Sequence, residues 1–274
     1  MASTHLGLDG EPVPGAYFVR TAEGPDSSEF HSTLHSQGAW QPGEQHMAAA
    51  SGLLIHEIER RHPREDVAIS RISFDILGVI HGGRFTVETA VLRPGRTIEL
   101  IEATLAHDGR AAIRARVWRL VLGDTADLAG ADLPSLPPPA ESRPSDVMTS
   151  VWAGGFIASL DALPAGDGEP GVGRIWLRHR HPLVLDEPSP GIAPVMGLVD
   201  VANGIALKLD PHEYLYPNVD LDVHLFRTPA AGMLGIEARV SIGPDGRGLT
   251  SSVLHDQEGP FGTAAQSLTV RDRP

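Results

Sequence analysis

At 274 residues and 41% hydrophobic content the chain can bury one large core or two of ordinary size, and two domains are the better expectation. The formal charge of −13 argues against a nucleic-acid binder, which needs a basic stripe to neutralise phosphates, but leaves room for an anionic small ligand met by a local basic patch. With no cysteine there is no disulfide, thiolate metal site or thiol nucleophile; no apolar run approaches the ~20 residues of a membrane span, and the start MASTHLGLDGEPVPG lacks the regions of a signal peptide, so a cytoplasmic chain without membrane contact is expected.

In chain order, a turn-rich lead is followed by two expected strands, AYFVR at 16–20 and EFHSTLH at 29–35. A helix is expected from Gly43 to Arg61, where Met47, Leu54, Ile55 and Ile58 recur at roughly helical spacing and Pro63 enforces a stop. Its alanines and Gly52 make it slender enough to lie close against a sheet. Four strand-like runs come next, at 68–77, 84–92, 96–106 and 110–120, separated by the turn compositions HGG, RPG and HDG. Residues 123–149 break the pattern with prolines and small or acidic residues, and read as an extended linker.

After the linker the same order recurs: strands near 151–158 and 174–180, a helix from about Pro190 to Leu209, and a four-strand meander over 218–271. The chain therefore reads as an internal repeat, with residues 1–122 and 150–274 as two copies flanking the linker. Each copy is a long helix against an antiparallel sheet, an α+β architecture, and each alone would leave sheet surface uncovered, so the two should pair. In the meander's first run Leu221, Val223 and Leu225 alternate with Asp220, Asp222 and His224, giving one apolar and one ionisable face. In its last run Gln266 shares a face with Leu268 and Val270, and a buried amide there must find hydrogen-bond partners.

The whole chain resembles the acyl-CoA thioesterase II type of double hotdog protein. In the first half the resemblance rests on WQPGEQHMAAASGLL and on TVETAVLRPGRTIELIEATLAHDGRAAIRARVW. In the second it rests on GLVDVANGIALKLDPHE, VDLDVHLFR and GRGLTSSVLHDQEGPFGTAAQS. The resemblance implies a double hotdog fold and a cofactor-free hydrolase of acyl thioesters, carried by CoA or by an acyl carrier. The catalytic Asp it implies falls on Asp220, with Arg227 seven residues on; the hydroxyl falls on Ser241, six before Arg247, and the Gln on Gln266. Asp200 and Asn203 share a helix face and are expected to line the substrate site.

A thioester is already activated, so hydrolysis needs a positioned, partly deprotonated water and help for the oxyanion. Asp220 is expected as general base, with Gln266 and Ser241 holding the water. Backbone N–H groups of the helix beginning near Pro190 are expected to meet the thioester oxygen. Strand alternation nevertheless puts Asp220 and Gln266 on opposite faces, so their convergence requires both faces to be covered or a bulge near Gly235 or Pro244. Arg84, Arg96, Arg227 and Arg247 are candidates for carrier phosphates by charge alone.

Two rivals stay open. A hotdog hydratase or dehydratase would use a His and an Asp, and Asp220 with His224 is the nearby pair; a non-catalytic acyl-thioester-binding protein is the other. The pairs His179 and His181, and His31 and His35, lack the spacing of a zinc hydrolase, so no metal is expected. Association to a homo-oligomer through uncovered sheet faces is expected.

Overall fold

The computed structural model describes residues 4–139, 145–146, 148–166 and 169–273. The first half supplies β1 (Phe18–Glu23), β2 (Ser27–Ser32), helix α1 (Met47–Arg61), β3 (Val67–Ile76), β4 (Arg84–Arg93), β5 (Ile98–His107) and β6 (Arg110–Val121). The second supplies α2 (Gly155–Ala158), β7 (Leu160–Pro164), β8 (Val172–His179), α3 (Ala193–Val199) and α4 (Ala202–Ile205). It continues with β9 (Tyr214–Leu215), β10 (Asp220–Leu225), β11 (Leu234–Ile242), β12 (Arg247–Asp256), β13 (Gly259–Thr269) and β14 (Arg271–Asp272).

Twelve of these strands form one antiparallel sheet, while β9 and β14 pair with each other outside it. Read inward from its two edges, the sheet runs β1, β2, β4, β5, β6, β3 from one side and β7, β8, β11, β12, β13, β10 from the other. The two orders are the same, strand for strand. The halves meet edge to edge where β3 pairs with β10, Asp75 standing opposite Asp220. The long hairpins match in detail too, since β5–β6 and β12–β13 carry the same bulge, after Leu105 in one and after Leu254 in the other. Counted from that bulge, Gln266 corresponds to Val117, and Thr250 to Ile101.

The helices fill the inside of the sheet. The small residues of α1 let it approach α3 to backbone contact: a Cβ on Gly52 would lie 2.7 Å from the Gly197 Cα, and Ser51 Oγ donates to Met196 O at 2.8 Å. Leu53, Leu54, Ile55 and Ile58 of α1 are fully buried in one core that spans both halves.

Three sequence expectations need correction. The first helix starts at Met47 rather than Gly43, because Gln45 and His46 are drawn into backbone hydrogen bonds with Ile80 and Ser36. The second is not one helix over 190–209 but the short α3 and α4, broken at Asp200, in a stretch weakened by Gly197 and Gly204. The strand expected at 151–158 is replaced by the single turn α2, since Gly154 adopts φ 103° and Gly155 presses against the Leu34 carbonyl, where any side chain would collide.

Of the proline-rich stretch, the described part packs rather than floats. Leu136 joins Trp176 and Ala165 in a small cluster, Trp176 Nε1 donates to Pro137 O at 2.7 Å, and His255 Nε2 bonds Pro134 O at 2.9 Å. Residues 140–144 and 147 lie outside the described residues.

Candidate active site

The N-terminus of α1, the α3–α4 break and the β9–β14 ribbon enclose a cavity of about 700 Å³. Its walls are largely apolar, with Trp40, Met47, Ile80, Trp152 and Ile157 among them. Its polar groups come from both halves: Gln41, Glu44, Gln45 and His46 from the first, and Asp200, Asn203, Asn218, Arg271 and Arg273 from the second.

Asp200 sits where α3 ends, and its two carboxylate oxygens differ sharply. Oδ1 accepts from Asn218 Nδ2 at 2.8 Å and from Gln266 Nε2 at 2.9 Å. Oδ2 faces His46 Nδ1 at 3.7 Å. That nitrogen already accepts the Ala48 backbone N–H at 3.1 Å, so the neutral ring carries its proton on Nε2 and offers Oδ2 a lone pair rather than a donor. Burial holds the imidazole neutral by lowering its pKa to about 4, and the ring lies on Phe156 with centroids 4.4 Å apart. Burial likewise raises the Asp200 carboxyl to about 6, against the opposing pull of the Asn218 and Gln266 hydrogen bonds. A carboxylate with one oxygen tethered and the other facing the cavity without a donor can take a proton near neutral pH.

Gln266 is buried on the inward face of β13, as alternation expected, and its amide nitrogen also reaches Asp200 O at 3.2 Å. Directly across the strand pair stands Thr250, also fully buried. Neither Thr250 Oγ1 nor Gln266 Oε1 has a partner among the described residues, and Asn203 Oδ1 is in the same condition while its Nδ2 donates to Tyr216 O.

The structure does not bring Asp220 or Ser241 to this place. Asp220 accepts from the backbone N and the hydroxyl of Ser267, the residue after Gln266 and therefore on the opposite face of β13. Ser241 is exposed on β11, opposite Leu249. No bulge re-aims either one: the register is unbroken from Leu234 to Ile242 on β11 and from Asp220 to His224 along β10–β3. His224 is exposed. Arg227 is held by Asp256 and Arg247 by Asp245. His46 and Thr250 escaped sequence reasoning. The signal for Thr250 was present, because the DQEG turn fixes the hairpin register and hence what lies across from Gln266.

The end of α3 expected to meet the thioester is also engaged. The Glu59 carboxylate accepts from Ile192 N at 3.2 Å and Ala193 N at 3.3 Å, and burial raises its carboxyl to about 7. With Val117 and Ile101 in the places of Gln266 and Thr250, the first half's counterpart of this site lacks both the amide and the hydroxyl. Among the described residues no group of three His, Asp or Glu side chains could hold a metal ion, and no helix is long and apolar enough to cross a membrane.

Residues 36–120 match the family described as acyl-CoA thioesterase N-terminal domain, and residues 132–270, just over half of the chain, match acyl-CoA thioesterase C-terminal domain. No curated protein sequence matches the chain. A hot dog fold protein of unknown function from Alicyclobacillus acidocaldarius superposes with a TM-score of 0.73 at 15% identity, over 92% of this chain and 96% of that one. The acyl-CoA thioesterase II TesB2 of Mycobacterium marinum gives 0.66 at 14% identity, over 93% and 96%. A weaker likeness, 0.50 at 15% over 93% and 97%, is to the dehydratase domain of the polyketide PpsC from Mycobacterium tuberculosis. At such identities these likenesses are of fold.

Proposed function

The chain belongs to the acyl-CoA thioesterase family, a hydrolase with a double hotdog fold, and on that premise we propose that it cleaves an acyl-CoA thioester with Asp200 as general base. The observation that carries this is the asymmetry of the Asp200 carboxylate, Oδ1 fixed by two amides and Oδ2 open to the cavity. A water between Oδ2 and the thioester gives up its proton to Oδ2 as its oxygen attacks the carbonyl carbon. First-turn N–H groups of α1 other than that of Ala48, which His46 holds, take the developing oxyanion. Collapse breaks the C–S bond, and the proton held on Asp200 leaves with the thiol. No covalent intermediate is needed.

In this reading Gln266 holds Asp200 in place, and Thr250 takes the part that the resemblance gave to Ser241, as the buried hydroxyl across from Gln266. Asn203 lines the pocket beside the acyl group. The chain carries one active site rather than two, since the counterpart lacks the amide and the hydroxyl and Glu59 fills the α3 end. Two repeats, taken as 1–122 and 150–274 about the 123–149 stretch, belong to this reading; the repeated strand order supports the two copies, and the family matches divide between residues 120 and 132. Following thiol release from acyl-CoAs of graded chain length tests the assignment: turnover that rises with pH through an apparent pKa near 6 is expected, and none on any chain length would refute it.

One observation favours a second reading. His46 and Asp200 face each other from opposite halves across one cavity wall, the residue pair that hydration of an enoyl thioester needs. Hydration of crotonyl-CoA without thiol release would establish that activity in place of hydrolysis.

A further inference from the structure

The cavity has a buried end and a solvent end, and their charges differ. Asp200 and Asn203 are buried, whereas Arg271 and Arg273, which line the same cavity, are exposed. In a chain of net charge −13, with carboxylates abundant, neither arginine has an acidic partner among the described residues. Arg271 reaches only Thr269 Oγ1, at 3.4 Å; Arg273 donates to Pro211 O at 3.2 Å, and its guanidinium lies 5.8 Å from the Trp40 ring centroid. The backbone holding them is fixed, because Arg271 pairs with Leu215 in the β9–β14 ribbon and Arg273 N donates to Glu213 O at 2.8 Å. Two oriented guanidiniums without counter-ions at the open end of a cavity make a receptor for phosphate oxygens.

The spacing suits a particular anion. Arg271 follows Gln266 by five residues, so at most about 17 Å of extended chain separates it from the residue that holds Asp200. In CoA about thirteen bonds separate the sulfur from the first phosphorus, which by the dimensions of extended chains reach about 15 Å.

We propose that Arg271 and Arg273 bind the phosphate groups of the substrate's carrier, so that phosphorylated pantetheine is recognised at the solvent end while the thioester lies at Asp200. This rests on the thioesterase reading for what the cavity holds, but it is tested by binding rather than by turnover. Calorimetric titration of the full chain with CoA, 4′-phosphopantetheine and pantetheine should show both phosphorylated ligands binding more tightly than pantetheine. Phosphopantetheine matching CoA would assign the contact to the one phosphate that carrier proteins share, and an intermediate affinity would assign it to the nucleotide phosphates as well. In the double variant Arg271→Ala, Arg273→Ala the affinity for CoA should fall roughly 100-fold, about tenfold for each charge-assisted contact, with pantetheine unchanged. Arg110→Ala, at an exposed arginine outside the cavity, should leave both unchanged. Where thiol release is measured, the double variant should raise KM for acyl-CoA and keep kcat within about twofold. Equal affinity of the wild type for CoA and pantetheine, or an unchanged CoA affinity in the double variant, overturns the proposal even if thiol release persists. Absence of thiol release with phosphate-dependent CoA binding would instead overturn the thioesterase reading and leave the arginines' role standing.

Discussion

Replacing Asp200 with Asn should stabilise the protein, and only above mildly acidic pH. The folded state raises this carboxyl from 3.8 to about 6, so ionising it costs more in the fold than in the unfolded chain. Roughly two pKa units correspond to about 3 kcal/mol. Because the folded pKa lies above the unfolded one, the fold binds the extra proton between them. The contribution of Asp200 to wild-type stability is therefore fullest below about pH 4, declines as the pH rises toward 6, and is level above it. An Asn at 200 has no charge to bury, and its Oδ1 can still accept from Asn218 and Gln266. The variant should match the wild type at pH 4 and exceed it by up to about 3 kcal/mol at pH 7.5, which in a chain of this size is a Tm gain of roughly 5 °C. Urea unfolding midpoints at pH 4, 5, 6 and 7.5 measure the difference directly. A variant no more stable than the wild type at pH 7.5, or a gain of equal size at pH 4, would refute the picture of a carboxylate buried at a cost to the fold.

Thr250→Val keeps the shape and removes a buried hydroxyl without a partner; stability should hold or rise slightly, while kcat for thiol release falls tenfold or more. Ser241→Ala, on the exposed face, should leave kcat and Tm within error in the same assays. Gly52→Ala places a methyl 2.7 Å from the Gly197 Cα where α1 crosses α3, so thermal unfolding should show a loss of about 1–3 kcal/mol, since backbone cannot step aside.

Much of the architecture was legible because it is written locally. Alternation and turn chemistry marked the strands within a few residues, and the run from Met47 to Arg61 carries its own helical spacing and stop. The misread elements are those where a partner decides. Gly154 and Gly155 take a turn because the Gly38 and Leu34 carbonyls lie against them, and the 190–209 segment breaks at Asp200, whose side chain is held by Asn218 and Gln266 rather than by its own helix. The site shows the same division. The inward aim of Gln266 follows from alternation alone, and Asp200 with Asn203 emerged as a shared helix face. Asp220 has the spacing to Arg227 that the resemblance asks for, but spacing along a strand does not set which face a residue presents. Its hydrogen bonds to Ser267 turn it away from Gln266. His46 comes from the other half of the chain, some 150 residues from Asp200, and only the pairing of the two halves brings it there.

The central claim is that Asp200, and not Asp220, is the general base. Steady-state thiol release from one acyl-CoA by the wild type, Asp200→Asn and Asp220→Asn, at pH 7.5, tests it most directly. With Asp200 as the base, kcat should fall roughly 10²–10⁴-fold for Asp200→Asn, the usual worth of a general base, and change within about threefold for Asp220→Asn. A large loss confined to Asp220→Asn, or equal losses in both, would contradict it.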